Sequence, residues 1–147
     1  MNIYFSCSIT GGRNDQPVYQ ALVEAMLAGG HEIPTAHLSS TAVTELETTI
    51  EAGLVYQRDT DWVKACDVVV AEVSTPSHGV GYEIALAVTL GKPVLCCYQA
   101  GKKVSKMLLG NPHVVVAPYE TPNQAVAAAE KFLRNVTLLQ KDVTPNQ

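Results

Sequence analysis

Two acidic residues occupy positions where a carboxylate needs a partner. Asp59 lies four residues after Val55 and four residues before Val63, so the three share one stripe of a predicted helix. The stripe is apolar and we expect it to face a sheet, where an unpaired carboxylate is rare. Asp59 is therefore a candidate for chemistry. The alternative is a structural acid that caps a loop or pairs with Arg58 or Lys64.

Glu83 is the second such carboxylate, and it lies in the first turn of another predicted helix. It follows Val80 by three residues and precedes Ala87 by four, again on the packed face. We expect the helix dipole to keep it ionised, as a nucleophile must be. Ser77 could cap this helix or bind an anion, and Gly79 lets a ligand approach the backbone closely. The alternative is an acid favoured by the dipole, with Ser77 as its N-cap.

A pair of inward carboxylates suits glycosyl transfer, because one can attack an anomeric carbon while the other moves protons. Tyr4 lies in the first predicted strand, next to the strand that precedes Glu83, and could hold the nucleophile by a hydrogen bond. The alternative for Tyr4 is a half-buried aromatic residue of the strand.

A polar loop follows the first predicted strand. It reads Ser6-Cys7-Ser8-Ile9-Thr10-Gly11-Gly12-Arg13. Hydroxyls, glycines and a cation ahead of a helix suit an anion such as a phosphate. The candidate ligands of that anion are Ser8, Gly11, Gly12 and Arg13. The patterns GxxxxGK(S/T) and GxGxxG are both absent, and the alternative is an ordinary strand-to-helix turn with glycines at positive φ.

The stretch 100–112 is the longest one without predicted secondary structure, and loops of this length are often functional. It carries three cations and a hydroxyl beside an apolar triplet, namely Lys102, Lys103, Ser105 and Lys106 followed by Met107-Leu108-Leu109. The polar groups suit a phosphate, and the exposed triplet suits a contact between subunits. The alternative is a solvated basic loop whose apolar residues begin a short core helix.

The elements that must position these residues alternate along the whole chain. Apolar runs rich in β-branched residues predict strands at 3–7, 31–35, 67–73, 93–98 and 113–117. Residues of helical period predict helices at 17–28, 44–65, 80–90 and 122–133. This alternation predicts a single α/β domain with a five-stranded parallel sheet flanked by helices, Rossmann-like and more narrowly flavodoxin-like.

The predicted strand order is 2-1-3-4-5. Val68 to Ala71 is apolar on both faces and therefore central, whereas Pro34 places its strand at an edge. Ligands of such sheets bind beyond the carboxyl ends of the strands, near the switch point between the first and third strands. The loops 6–14 and 74–81 therefore matter most. We expect the catalytic domain to span 1–136 and 137–147 to form a flexible tail.

Composition limits the remaining function classes. The chain has 147 residues, 47% of them hydrophobic and 16% charged, with a net charge of −4. These values argue against disorder, a membrane span, and binding to nucleic acid or a membrane surface. The start of the chain lacks signal-peptide features, so we expect a cytoplasmic protein, with the nucleus as a further location in a eukaryote.

Neither cysteine nor histidine spacing indicates a metal site, and we expect no cofactor. We interpret the four cysteines as reduced core thiols. The alternative is that Cys7 acts as a nucleophile.

Three segments together resemble a known family. They are Tyr4-Phe5-x2-Ser8-Ile9-x-Gly11-Gly12-Arg13, then Asp59-x2-Trp62-x2-Ala65-x-Asp67-Val68-Val69-Val70-Ala71-Glu72-Val73, and Pro76-Ser77-x-Gly79-Val80-Gly81-Tyr82-Glu83. The chain resembles the nucleoside 2-deoxyribosyltransferase superfamily up to about Phe132, and within it the 2'-deoxynucleoside 5'-monophosphate N-hydrolases. The run 67–83 is the most specific part.

The resemblance implies a Rossmann-like enzyme with a retaining mechanism. Glu83 would attack the anomeric carbon of the deoxyribose, and water would then open the covalent intermediate. Asp59 would move protons at the departing base or the incoming water, and Tyr4 would orient Glu83. Base exchange between deoxynucleosides is an alternative with the same carboxylates, and a nucleotide-binding module without turnover is another.

The resemblance also implies phosphate ligands and a partner subunit. Ser8 and Ser77 match phosphate-binding serines of the family. Ser105 matches a serine that the family donates from the second subunit of a homodimer with shared active sites, with Met107 close by. One position departs from the pattern, because Thr10 stands where the hydrolases usually carry an arginine. The absence of that arginine removes a strong phosphate ligand, for which Arg13 or Lys106 could substitute.

Overall fold

The computed structural model describes residues 1–9 and 14–142, and it contains a parallel sheet of four strands. The strands are β1 (Ile3–Ser6), β2 (Val68–Glu72), β3 (Val94–Gln99) and β4 (Val114–Tyr119). They are arranged in the order β1-β2-β3-β4, with all neighbours parallel. The prediction of a Rossmann-like α/β fold with a parallel sheet is confirmed.

The prediction of a fifth strand at 31–35 is wrong. This segment runs along the outer edge of β1, but main-chain pairing is limited to one isolated bridge between Asn2 and Glu32. Pro34 has no N–H with which to continue a ladder. The hydroxyl of Thr35 instead accepts a hydrogen bond from the backbone N–H of Phe5 at 2.9 Å. The segment therefore covers the edge of the sheet without becoming a strand.

Six α-helices connect and cover the strands. They are α1 (Gln16–Ala28), α2 (Val43–Thr48), α3 (Ala52–Ala65), α4 (His78–Thr89), α5 (Lys106–Leu109) and α6 (Pro122–Asp142), with a 3-10 turn at Ala36–Ser39. The helix predicted at 44–65 is two helices, because Glu51 caps α3 by accepting a hydrogen bond from Gly53 N at 3.1 Å. In the described part of the chain, no helix is long and apolar enough to cross a membrane.

The C-terminal helix is longer than predicted. It begins at Pro122, as expected, and continues through Asp142 rather than ending at 133. Residues 137–142 of the predicted flexible tail are therefore helical, and 143–147 lie outside the described residues.

Each face of the sheet has its own hydrophobic core, because successive strand residues point to opposite sides. On one face, Phe5 and Val70 pack with residues of α1 and α6. On the other, Tyr4 and Val69 pack with residues of α3 and α4. β1, β2 and most of β3 are buried between these two helix layers, whereas β4 is partly exposed. The candidate carboxylates belong to the layer of α3 and α4.

Candidate active site

Asp59 and Glu83 line the same cavity, although 24 positions separate them in the sequence. The cavity measures about 260 Å³ and lies between α3, which carries Asp59, and α4, which carries Glu83. Gly79, in the first turn of α4, also lines it. The structure thus brings together the two carboxylates that the apolar spacing singled out.

Glu83 is held in place from the sheet. Its Oε2 atom accepts a hydrogen bond from the hydroxyl of Ser6, at the end of β1. Burial raises the pKa of Glu83 to about 7, and the charge of Asp59 adds to the rise, while the Ser6 hydrogen bond opposes it. This burial opposes the helix dipole, which we expect to favour the ionised form of Glu83.

Tyr4 is fully buried beside the two carboxylates. Burial raises its pKa far above the usual value, and the charges of Glu83 and Asp59 add to the rise. Its hydroxyl therefore stays protonated. The Ser6 hydroxyl makes the defined hydrogen bond to Glu83, and a looser hydrogen bond from the Tyr4 hydroxyl also lowers the pKa of Glu83. The signal for Ser6 was available in the sequence, since residues two apart on a strand share a face.

Asp59 is both paired and open to the cavity. The Nε–H of Arg58 donates to Asp59 Oδ1 at 2.8 Å, which is one of the two structural pairings considered from the sequence. The other does not form, because Lys64 pairs with Asp61 at 3.5 Å. The side chain of Asp59 is 18% exposed and lines the cavity with Glu83. Pairing with a cation and access to the cavity are therefore compatible.

Of the four candidate ligands of the anion, only Ser8 falls within the described residues. Gly11, Gly12 and Arg13 lie outside them, as does Thr10. Ser8 follows β1 and is fully buried. Its neighbour Cys7, the alternative nucleophile, is also buried, and its thiol donates to the carbonyl oxygen of Leu38 at 3.7 Å. All four cysteines are free and buried, as the interpretation of core thiols requires.

Ser77, Ser105 and Met107 line a second and larger cavity of about 650 Å³. Ser77 caps α4 by accepting a hydrogen bond from Val80 N at 3.4 Å. Ser105 caps α5 in the same manner by accepting one from Met107 N at 3.2 Å. The side chain of Met107 is 82% exposed. These three predicted binding residues are therefore brought together.

The two cavities lie on opposite sides of α4. Ala85 lines the larger cavity, whereas Glu83, two residues earlier, lines the smaller one. A helix turns about 100° per residue, so positions two apart face roughly opposite directions. Ser105 of a chain is consequently placed away from Glu83 of the same chain.

Glu72 is a carboxylate that the sequence did not single out. It ends β2 and is fully buried on the face covered by α1 and α6. Its Oε1 atom accepts hydrogen bonds from the backbone N–H of Ser74 at 3.2 Å, from the Ser74 hydroxyl, and from the Tyr119 hydroxyl at 2.9 Å. Burial raises the pKa of Glu72 to about 7. An acid at the end of a wholly apolar run was the signal available in the sequence.

No group of three or more His, Cys, Asp and Glu side chains within residues 1–9 and 14–142 could hold a metal ion.

Comparison with known proteins identifies relatives of the chain. The model of the family described as nucleoside 2-deoxyribosyltransferase matches residues 3–125. A rat protein named 5-hydroxymethyl-dUMP N-hydrolase is 40% identical over 74% of this chain and 69% of its own length. A protein of Methanococcoides burtonii, provisionally named a 2'-deoxynucleoside 5'-phosphate N-hydrolase, is 36% identical over 80% of this chain and 96% of its own.

A solved structure shares the fold. It is the CMP N-glycosidase of Clostridium botulinum, which superimposes with a TM-score of 0.69 at 15% identity and covers 90% of this chain and 99% of that protein. At this level of identity the likeness shows the fold alone.

Proposed function

The chain belongs to the nucleoside 2-deoxyribosyltransferase family, and we propose that it hydrolyses the N-glycosidic bond of 2'-deoxynucleoside 5'-monophosphates. The products are a free nucleobase and 2-deoxyribose 5-phosphate. The observation that carries the proposal is the single cavity lined by Asp59 and Glu83. The names of two relatives, both N-hydrolases of deoxynucleotides, support the substrate class.

The two carboxylates supply the groups that a retaining glycosidase needs. The charge of Asp59 raises the pKa of Glu83, and the mechanism needs one proton between the two carboxyl groups. When the proton is on Asp59, Glu83 is ionised and attacks the anomeric carbon. The bond to the base breaks with its electron pair on nitrogen, and that nitrogen takes the proton from Asp59.

Water completes the reaction from the same cavity. The ionised Asp59 removes a proton from the attacking water, and the new bond from water to the anomeric carbon releases Glu83 as a carboxylate. The Ser6 hydroxyl, which donates to Glu83 Oε2, orients the nucleophile throughout. Tyr4 lies buried beside it and excludes water from that side of the carboxylate.

We further propose that the sites are shared in a homodimer. Ser105 and Met107 lie on the other side of α4 from Glu83 of their own chain. A Ser105 that meets the phosphate of a nucleotide bound at Glu83 therefore comes from the partner subunit. Ser8 and the backbone at Gly79 are phosphate ligands proposed within the chain. Ser77 is proposed as a third, because it caps the end of α4 that Gly79 shares with the smaller cavity, although it also lines the larger one.

Subunit mixing tests this arrangement. Glu83→Gln and Ser105→Asp are each expected to be inactive or weak alone. An equal mixture of the two should recover about a quarter of the wild-type sites, because half of the dimers are mixed and each holds one intact site. The matched control mixes Glu83→Gln with Asp59→Asn, which share a cavity within one chain and should recover nothing. No recovery in the first mixture, with exchange confirmed, contradicts the shared site.

Base exchange between deoxynucleosides is the second candidate, favoured by the name of the family whose model matches. It uses the same carboxylates but a second base rather than water as the acceptor.

One assay tests the function and separates the two candidates. The protein is incubated with each 2'-deoxynucleoside 5'-monophosphate and with each deoxynucleoside, with and without a second free base, and the bases are separated by chromatography. Free base from the monophosphates without an added acceptor is the expected result. A reaction that needs the second base indicates exchange, and no free base in any mixture contradicts both candidates.

A further inference from the structure

Arg58 is held at two ends between α2 and α3. Its two terminal nitrogens donate to the two carboxylate oxygens of Glu47, in α2, at 3.1 and 3.0 Å. Its Nε–H donates to Asp59 Oδ1 at 2.8 Å. The guanidinium lies over the ring of Trp62, 5.0 Å from its centre. Hydrogen bonds to two carboxylates and a contact with one ring therefore fix the orientation of the guanidinium.

This geometry needs the Glu47 carboxylate. Arg58 and Asp59 are consecutive residues of a helix, so their side chains start about 100° apart and do not meet by default. A bidentate pair fixes the plane of a guanidinium, and here it leaves Nε pointing at Asp59. Glu47 is itself anchored, since its Oε1 lies 3.0 Å from Nε2 of His37 and its side chain is only 10% exposed.

We propose that Arg58, clamped by Glu47, is a positioning residue that holds the Asp59 carboxylate toward the cavity it shares with Glu83. The inference rests on the proposed function. The Arg58 cation fixes the Asp59 carboxyl in place by its hydrogen bond, as proton transfer to a departing base requires. The same cation also lowers the pKa of Glu83, against the larger effect of burial.

The groups that act on Glu83 come from each element packed against it. β1 contributes Tyr4 and Ser6, and α3 contributes Asp59 and Arg58. Among the described residues, Arg58 is the cation whose charge lowers the pKa of Glu83. Removing that cation should therefore raise the pKa of Glu83, whereas replacing it by another cation should not.

Three variants separate charge from positioning. Arg58→Gln removes the cation, Arg58→Lys keeps a cation but cannot form the two-pronged pair, and Glu47→Gln keeps Arg58 but weakens its clamp. The matched control is Arg134→Gln, which removes an arginine paired with Glu130 at 3.9 Å on the exposed surface of α6. Thermal unfolding of all four shows which ones fold.

The expected results differ among the variants. All three changes at Arg58 and Glu47 should lower kcat, on the order of 10²-fold for Arg58→Gln, because a misplaced Asp59 is poorly aligned for proton transfer. Only Arg58→Gln should move the acid limb of kcat/KM to higher pH. The control should match the wild type in both. An unmoved limb in folded Arg58→Gln, or unchanged kcat in Arg58→Lys and Glu47→Gln, overturns the proposal.

A measurement without substrate keeps this test apart from the proposed function. Carbon-detected NMR titration reads the pKa of the Glu83 carboxyl directly in each variant. This pKa should rise in Arg58→Gln and stay near the wild-type value in Arg58→Lys and Arg134→Gln. If the wild type releases no base, the proposed function fails, while this titration still decides whether Arg58 acts on Glu83. Equal pKa values of Glu83 in all variants would show that Arg58 does not act on it.

Discussion

Glu72 and Glu83 are glutamates at the same end of the sheet, the first fully buried and the second half-buried, and they differ in what surrounds them. Burial raises the pKa of both to about 7. Glu72 has no exposed surface, and one of its oxygens gathers hydrogen bonds from Ser74 and Tyr119. Glu83 accepts from Ser6 and opens to a cavity that a second carboxylate, Asp59, also lines.

The comparison separates a structural acid from a catalytic one. A raised pKa marks both residues, so the pKa alone does not locate an active site. A cavity and a second titratable group distinguish Glu83. Glu72 instead connects strands, because the Ser74 hydroxyl that donates to it also accepts a hydrogen bond from the backbone N–H of Gln99, in β3, at 2.7 Å.

The largest expected difference is in activity after the same substitution at both glutamates. Glu83→Gln should reduce base release by roughly 10⁴- to 10⁶-fold, since it removes the nucleophile. Glu72→Gln should stay within an order of magnitude of the wild type, because a neutral amide resembles the protonated acid. Chromatography of the released base measures both. Equal losses in two folded variants would break the distinction.

Asp59→Asn should have the next largest effect. It removes the proton-transfer group but keeps the shape of the side chain, and the expected loss of kcat is on the order of 10²- to 10⁴-fold. Steady-state rates on the best monophosphate measure it, with the exposed Asp61→Asn as the matched control on the same helix. A variant as active as the wild type would return Asp59 to a purely structural pairing with Arg58.

Ser6→Ala should change the pH dependence more than the maximal rate. The Ser6 hydroxyl donates to Glu83 and lowers its pKa, so its removal raises that pKa further. Because the nucleophile must be ionised, kcat/KM of the wild type should fall as the pH falls through about 7. The acid limb of Ser6→Ala should lie at higher pH. An acid limb at the wild-type position would show that Ser6 does not act on Glu83.

The smallest expected effect is the contribution of Glu72 to the free energy of unfolding and its change with pH. Its folded pKa of about 7 lies above the reference value of 4.5, so the neutral acid is favoured in the folded state. Its contribution to folding is present below pH 4.5 and is lost as the pH rises through about 7. Urea unfolding should show the wild type losing stability relative to Glu72→Gln between pH 5 and pH 7.5, as roughly estimated from linkage. An unchanged difference at both pH values would contradict this.

Helical periodicity made the two candidate carboxylates predictable. Asp59 and Glu83 each break an apolar stripe, and both stripes face the sheet, so the side chains meet between their helices. Alternating strands and helices likewise predicted the parallel sheet. The prediction of a fifth strand was wrong because an apolar run does not reveal how far main-chain pairing extends. Here pairing is limited to one bridge, and Pro34 cannot continue it.

Contacts between distant segments were beyond the sequence. The pairing of Arg58 with Glu47 depends on where α2 packs, and α2 itself was hidden within one long predicted helix. Glu72 belongs to an apolar strand whose period gives no sign of its partner Tyr119, 47 residues away. The positions of Ser105 and Glu83 on opposite sides of α4 follow from packing rather than from any motif.

The stereochemistry of methanolysis tests the central claim, a covalent intermediate on Glu83, most directly. In aqueous methanol the alcohol competes with water for the intermediate and yields a methyl deoxyriboside 5-phosphate, whose anomeric configuration is fixed and readable by proton NMR. Two displacements on a β-nucleotide predict the β-methyl product. The α-methyl product would mean a single displacement by the acceptor, and would contradict Glu83 as the nucleophile.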